Sequence, residues 1–367
     1  HYGTRRQRQM CIRDRYIAIV FVIIRRIFLV ITSLCTTSCI FLYRYQNNKL
    51  KEMRKYILIM IVSIPCISAL AQQDAQYTQY MYNTISVNPA YAGSRGVMSI
   101  TGLHRSQWVG LDGAPQTETI SLNTPIGESN KVGLGVSFIN DKIGPTQEMY
   151  LDIDFSYTIP TSDIGKLSFG LKVGGHFLDV DFTKLREFDI EDPTFQNNID
   201  NKFSPNVGVG FYYHTDKFYA GLSAPNLLET EHFDESATVG NNDSSTYIAR
   251  ERINYYAIVG HVFDLSTEVK FKPALLTKVV FGAPLQVDVS ANFLLYERLT
   301  LGLGYRWDAA FSAMAGFQIS DGMMIGLAYD RETTELGKAQ FNDGSYEVFL
   351  RFELFKKYSR FLTPRFF

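Results

Sequence analysis

Eight charged residues stand on strand-like stretches, each alternating with apolar neighbours, and they are the side chains best placed to do chemistry. They are Asp152, Asp154, Lys172, Asp288, Arg306, Glu347, Arg351 and Glu353. Charges enclosed in a protein interior need partners of opposite sign. They form either a network that fills the interior and holds a plug, or a lining that selects solutes in a pore. Bulky inward residues and an apparent plug segment favour the network.

The other reactive groups form no catalytic or metal-binding pattern. No two of the histidines have the i, i+4 spacing of a helical metal site, and none has a nearby cysteine. They are His1, His104, His176, His214, His232 and His261. The chain has no Gly-x-Ser-x-Gly elbow and no P-loop. The sequence therefore predicts no enzymatic activity, no cofactor and no metal site.

Two predicted loops, 179–202 and 225–253, are rich in carboxylates. Carboxylate oxygens are the ligands that calcium prefers, so a calcium site is one interpretation of these loops. Solvated acidic loops are the interpretation that we prefer.

The elements that position the eight charges are predicted strands. In the stretch 147–159, Leu151, Ile153 and Phe155 alternate with Asp152 and Asp154. Four similar runs follow one another between residues 285 and 331, separated by only two or three residues. Such short connections allow hairpins and leave no room for a crossover helix. The pattern predicts an antiparallel meander.

Alternating runs of this kind continue through the chain and predict about fourteen strands. Their ranges are 97–108, 115–125, 131–140, 147–159, 165–178, 203–214, 217–224, 254–264, 268–280, 285–295, 298–307, 310–319, 322–331 and 344–355. Bacterial single-chain membrane barrels have even numbers of strands, an apolar face toward lipid and a polar interior. We therefore predict an all-β, transmembrane outer-membrane β-barrel of about fourteen antiparallel strands.

The lengths of the connections support a membrane barrel over a soluble β-sandwich. Connections after even-numbered strands have about two to five residues, whereas 179–202, 225–253 and 332–343 follow odd-numbered strands. Outer-membrane barrels have short periplasmic turns and longer extracellular loops. This predicts an outer-membrane location with both termini in the periplasm. The net charge of −1 gives no reason to expect a nucleic-acid partner.

The start of the chain differs from the rest. Residues 1–52 are basic and then apolar, and they are either a mis-called upstream extension or an N-terminal anchor. Residues 53–71 have the charged, apolar and small-residue regions of a signal peptide, with Gln72 as the mature N-terminus. All four cysteines precede that site, so the mature chain has no disulfide: Cys11, Cys35, Cys39 and Cys66.

The mature chain divides into two predicted parts. Residues 72–96 contain Asn-Pro and Ala-Gly turn signals and predict a periplasmic or lumen-inserted plug segment. Residues 97–367 form the predicted barrel. The chain ends in Phe367, and a terminal aromatic residue after an amphipathic strand resembles the signal for barrel assembly.

Several motifs of the mature chain resemble the PorP/SprF family, outer-membrane proteins of the type IX secretion system of Bacteroidetes. The most specific motif consists of Asn88, Pro89, Ala90, Tyr91, Ala92 and Gly93. Other stretches that carry the resemblance are 79–83, 105–115, 140–146, 221–228 and 364–367. The resemblance covers nearly all of residues 72–367 and leaves out residues 1–52.

The resemblance implies a role that the strand pattern alone does not. Members of the family support type IX secretion or keep a gliding adhesin on the cell surface. Their expected partners are the C-terminal domain of a secreted cargo protein, periplasmic and outer-membrane type IX components, and outer-membrane lipid. The family supplies no catalytic residues. The alternative is a passive or ligand-gated outer-membrane pore for small solutes, with the lumenal charges setting its selectivity.

Overall fold

The protein is a closed antiparallel β-barrel. The computed structural model describes residues 75–184, 198–229, 252–338 and 340–354. Each strand pairs with its neighbours in the sequence, the last strand pairs with the first, and the ring closes in the described residues. The strands are β1 Met98–Ser106, β2 Gln116–Ile126, β3 Val132–Ile143, β4 Thr146–Pro160, β5 Lys166–Val180, β6 Ile199–His214, β7 Phe218–Ala224, β8 Asn254–His261, β9 Phe263–Asp264, β10 Val269–Val280, β11 Gln286–Leu295, β12 Leu299–Arg306, β13 Ala310–Ser320, β14 Met323–Glu332 and β15 Ser345–Leu354.

The ring has fourteen positions for the fifteen strands, because β8 and β9 follow one another along the same edge of β10 and together occupy one position. β8 pairs with β10 from Ala274 to Val280, and β9 pairs with Lys270 and Phe271 of β10. The break between β8 and β9 falls at Val262, whose side chain is buried. The sequence analysis predicted this strand as the single run 254–264. The described structure therefore confirms the prediction of a fourteen-stranded barrel.

The barrel has its apolar surface on the outside. On β4, the side chains of Leu151, Ile153 and Phe155 are about half exposed, whereas Asp152 and Asp154 are buried. The same alternation recurs on the other strands because successive side chains point to opposite faces. An apolar exterior with a polar interior is the arrangement that lipid requires of a barrel. Among the described residues, no helix has the length and hydropathy needed to cross a membrane.

The two ends of the barrel differ in their connections. One end, called here the short-turn end, has the connections 127–131, 161–165, 215–217, 265–268, 296–298 and 321–322. The other end, called the long-loop end, has 107–115, 144–145, 181–198, 225–253, 281–285, 307–309 and 333–344. The sorting of long loops to one end is as predicted.

The predicted loop 179–202, at the long-loop end, differs from the structure at both of its boundaries. β5 continues to Val180 and β6 begins at Ile199, so the loop predicted over 179–202 is shorter than expected. The extra pairing is stabilised by a small apolar cluster in which Leu178 and Val180 pack with Ile199. The sequence did not predict the first residues of β6 as a strand, because Asp200, Asn201 and Lys202 do not alternate with apolar residues.

Candidate functional site: the filled lumen

The lumen of the barrel contains residues 75–97, called here the lumen segment. It includes a four-residue helix, α1 Thr84–Val87, and a 3-10 turn, Pro89–Tyr91. The turn forms where it does because Pro89 suits the first position of a helix and the Asn88 side chain accepts a hydrogen bond from the N–H of Ala90 (2.9 Å). Of the periplasmic and lumenal placements left open by the sequence, the described residues occupy the lumen.

At the long-loop end, Arg105 organises a group of buried side chains, called here the Arg105 cluster. Its guanidinium lies 2.7 Å from the carboxylate of Asp330 and 3.1 Å from that of Glu347. It also donates to the hydroxyl of Thr78 (2.7 Å), which in turn donates to Asp330. Glu347 accepts the backbone N–H groups of Thr78 (2.9 Å) and Gln79 (2.8 Å). Three strands, β1, β14 and β15, therefore hold the beginning of the lumen segment by charge-assisted hydrogen bonds.

At the short-turn end, the lumen segment contributes the cation. Arg95 forms an ion pair with Glu353, and both side chains are almost fully buried. The Nε atom of Arg351 lies 3.7 Å from the same carboxylate. Arg351 and Lys272 also lie 5.5 and 5.8 Å from the ring centroid of Tyr82. The ring of Tyr82 therefore adds cation–π interactions to the ionic interaction of Arg351 with Glu353.

Between these two ends, the backbone of the lumen segment packs directly on the barrel wall. A Cβ atom added at Gly170 would lie only 2.5 Å from the Cα of Ala90. Gly93 has a φ of +69°, and a Cβ there would lie 2.8 Å from the Cα of Gly133. Both positions need glycine, the first for close approach and the second for the left-handed backbone conformation. The wall is therefore shaped to receive this segment.

Buried apolar side chains complete the filling of the lumen. The rings of Tyr82 and Phe349 stack with centroids 4.3 Å apart, and those of Tyr91 and Tyr212 meet edge to face at 5.5 Å. The lumen segment also buries Tyr77, Tyr80, Ile85, Val87, Ala90 and Ala92 in the same cluster. The main apolar core of the described chain thus lies inside the barrel, where a pore would have water.

The charges predicted from the sequence separate into local groups. Lys172 lies 2.9 Å from Asp152 and 3.7 Å from Asp154, and Arg306 lies 2.6 Å from Asp288. Arg351 and Glu353 form a third group with Arg95. Asp154 and Lys172 are direct partners across β4 and β5, and Asp288 and Arg306 are direct partners across β11 and β12. Much of the expected network therefore consists of neighbouring strand residues.

The family motif occupies the second half of the lumen segment. The Asn88 amide donates to the carbonyl of Phe211 (3.0 Å), and the Ala92 carbonyl accepts from the hydroxyl of Ser156 (2.7 Å). Pro89, Ala90 and Tyr91 are buried. Phe367 lies outside the described residues, as do residues 1–74.

The sequence analysis included Arg105 only within the stretch 105–115 and placed neither Arg95 nor Arg105 in the lumen. The alternation on β1 could have revealed Arg105, because it lies on the same face of the strand as the polar residues Ser99 and Thr101. The structure buries all three side chains. Arg95 precedes the first strand, so no periodicity could reveal its partner. Long-range contacts of an irregular segment have no local pattern.

Other candidate ligand sites are sparse in the part of the chain that the structure describes. No three His, Cys, Asp or Glu side chains there come together in a way that could hold a metal ion. In the loop considered for calcium, Asp181 accepts hydrogen bonds from Thr183 and pairs with Lys184 at 3.1 Å. The carboxylates within 185–197 and 230–251 lie outside the described residues. A small crevice of about 20 Å³ is lined by Tyr80 and Val87 of the lumen segment and by Lys278 of the barrel wall.

At the long-loop end, two loops bind each other. The backbone N–H of Val109 donates to Gly344 (2.9 Å), and its carbonyl accepts from Asp343 (2.8 Å). The indole of Trp108 donates to Glu332 (3.0 Å). Next to this pairing, Phe341 has a φ of +76° and 70% of its surface exposed. The joined loops therefore present an aromatic side chain to the exterior.

The fold and the lumen together define the class of protein. A closed barrel with an apolar exterior, a polar wall and long loops at one end is an outer-membrane β-barrel. The chain belongs to the family described as type IX secretion system membrane protein PorP/SprF, and the family model matches residues 69–352. The resemblance found in the sequence is confirmed. The protein is thus an outer-membrane protein of a family associated with type IX secretion.

Solved barrels similar to this chain have low sequence identity to it. Omp33 of Acinetobacter baumannii is 9% identical, with a TM-score of 0.39 over 70% of this chain and 98% of that one. The CymD monoaromatic hydrocarbon channel is 12% identical, with a TM-score of 0.42 over 76% and 91%. The KdgM porin is 8% identical, with a TM-score of 0.33 over 70% and 99%. No match was found among curated proteins.

Proposed function

We propose that this barrel is an accessory of type IX secretion that holds an exported cargo protein, such as a gliding adhesin, at the cell surface. The observation that carries the proposal is the filled lumen. Four hydrogen bonds join Thr78 and Gln79 to the Arg105 cluster: three are donated by Thr78 and Gln79 to carboxylates, and one is donated by Arg105 to Thr78. A barrel whose wall packs closely against its own lumen segment can serve as a rigid anchor. A solute pore would instead need a continuous water-filled path.

The proposal assigns the cargo to the long-loop end. Long loops of outer-membrane barrels face the exterior, and short turns face the periplasm. The loops 107–115 and 333–344 are joined at this end and present Phe341. Exposed aromatic residues are frequent anchors of protein interfaces. The C-terminal domain of the cargo is the partner that family membership suggests for this surface.

The opposite end is assigned to the periplasm and to other type IX components. β15 ends at Leu354 beside Met98, the first residue of β1, at the short-turn end. The C-terminal end of the last strand would then lie where periplasmic components of the apparatus operate. This orientation rests on the general rule for loop lengths.

Replacing residues 230–251 with a short Gly-Ser linker tests the cargo assignment. We expect the barrel to fold, as judged by its heat-modifiable migration on gels, while cargo moves from the cells to the medium. A replacement of residues 128–130, in a short turn, is the matched control and should leave cargo on the cells. Cargo that stays on cells carrying the loop replacement would show that this loop does not hold it.

A pull-down from detergent-extracted outer membrane identifies the partner. A tag on the barrel should recover a large secreted protein, periplasmic type IX components, or both. A barrel that purifies alone at good yield in mild detergent would contradict the anchor proposal and favour the solute pore.

A further inference from the structure

The lumen segment has a definite direction through the barrel. Its beginning contacts residues at the long-loop end: Gln76 accepts a hydrogen bond from Arg306, the last residue of β12 (3.1 Å). Thr78 contacts Glu347, the third residue of β15, which follows the loop 333–344. These contacts place Ala75 near the mouth formed by the long loops.

The end of the segment lies at the opposite mouth. Arg95 pairs with Glu353, the penultimate residue of β15. Gly93 lies against Pro125 near the end of β2 and against Gly133 near the start of β3, on either side of the short turn 127–131. The segment then leads into β1 at Met98. The described residues thus start at the long-loop end.

We infer that the mature chain crosses the outer membrane once more inside its own barrel, so that its N-terminus lies on the cell surface beside the long loops. The predicted signal-peptide cleavage after Ala71 would leave three residues, 72–74, before Ala75. An extended chain reaches at most about 3.5 Å per residue, so these three residues span about 10 Å. From Arg306, beside Gln76, to Leu299 at the other end of β12 is about 24 Å along the strand. Three residues cannot return to the periplasmic mouth.

This topology gives the N-terminal end a place in the interaction surface. The described beginning of the lumen segment, at Gln76, stands at the same mouth as the joined loops 107–115 and 333–344. A cargo protein seated on those loops would contact this part of the segment. The inference rests on the proposed orientation, in which the long loops are extracellular.

Cysteine labelling of intact cells tests the inference, because all four native cysteines precede the predicted cleavage site after Ala71. The wild-type protein, treated in the same way, serves as the unlabelled control. The test variant is Asp74→Cys, treated with a membrane-impermeant maleimide. Lys338→Cys, on an exposed part of the loop 333–344, reports the long-loop end, and Glu128→Cys reports the short turn 127–131. Heat-modifiable migration checks that all three variants fold.

Three results are distinguishable. We expect Asp74→Cys and Lys338→Cys to be labelled equally on intact cells and Glu128→Cys only after lysis. A second result would be that, on intact cells, Lys338→Cys is labelled but Asp74→Cys is labelled only after lysis. This result would overturn the inference and leave the proposed function standing. Labelling of Glu128→Cys but not Lys338→Cys on intact cells would overturn the orientation and, with it, the proposed cargo surface.

Discussion

Glu347 and Glu353 lie on the same face of β15, and they bind opposite ends of the lumen segment. Glu347 accepts the backbone N–H groups of Thr78 and Gln79, and Glu353 pairs with Arg95. The two glutamates are six positions apart on the strand, which corresponds to about 20 Å along it. A single strand therefore fixes the segment along much of the barrel, which makes the filled lumen a built part of the fold.

Removing the contact that Glu347 makes at the long-loop end should destabilise the protein. In Glu347→Ala, two backbone N–H groups lose their acceptor, and Arg105 loses one of its two carboxylate partners and keeps Asp330. Breaking a buried ion pair costs about 3–5 kcal/mol. We expect a clearly lower midpoint of unfolding in detergent, measured by gel migration over a temperature series. Glu335→Ala, which removes an exposed partner of Lys338, is the control and should leave the midpoint unchanged.

Adding one methyl group to the wall should have a similar effect. In Gly170→Ala, the new Cβ would meet the backbone of Pro89 and Ala90, which cannot move without shifting the segment. Overpacking of this kind costs about 1–3 kcal/mol. The same substitution at Gly102, where no atom lies within 4 Å of the added Cβ, should be neutral. Equal unfolding midpoints for the two variants would contradict the close packing of the segment.

The pairing of Lys172 predicts a rescue. Lys172→Met leaves Asp152 and Asp154 buried without their cation, and we expect the free energy of unfolding to fall by about 3–5 kcal/mol. Adding Asp152→Asn and Asp154→Asn removes the uncompensated charges and should restore much of the loss. Urea unfolding of the single and triple variants measures both effects. A triple variant less stable than Lys172→Met would show that the carboxylates have another role.

Phe341 should contribute to cargo retention. Phe341→Ser removes an exposed aromatic side chain from the joined loops, and interface anchors of this kind contribute about 2 kcal/mol or more. We expect more cargo in the culture medium and an unchanged unfolding midpoint. Lys338→Ala changes an exposed side chain of the same loop and serves as the control. Equal cargo release from both variants and the wild type would exclude Phe341 as an anchor.

Much of the barrel could be predicted from the sequence, because each strand carries its own alternation and the loops sort by length. Asp288 and Arg306 were identifiable as interior charges for the same reason. The lumen contacts were less accessible. The carboxylate partners of Arg95 and Thr78 lie more than 250 residues away in the chain, and an irregular segment has no period that reveals which face it presents.

Liposome swelling tests the central claim, that the barrel is a filled anchor and not a solute pore. Wild-type protein would be reconstituted into liposomes, and flotation would measure how much of it is inserted. In an isosmotic sugar solution, the account predicts that proteoliposomes swell no faster than protein-free liposomes, because the lumen segment occupies the described lumen from Gln76 to Arg95. Swelling that increases in proportion to the inserted protein would contradict it.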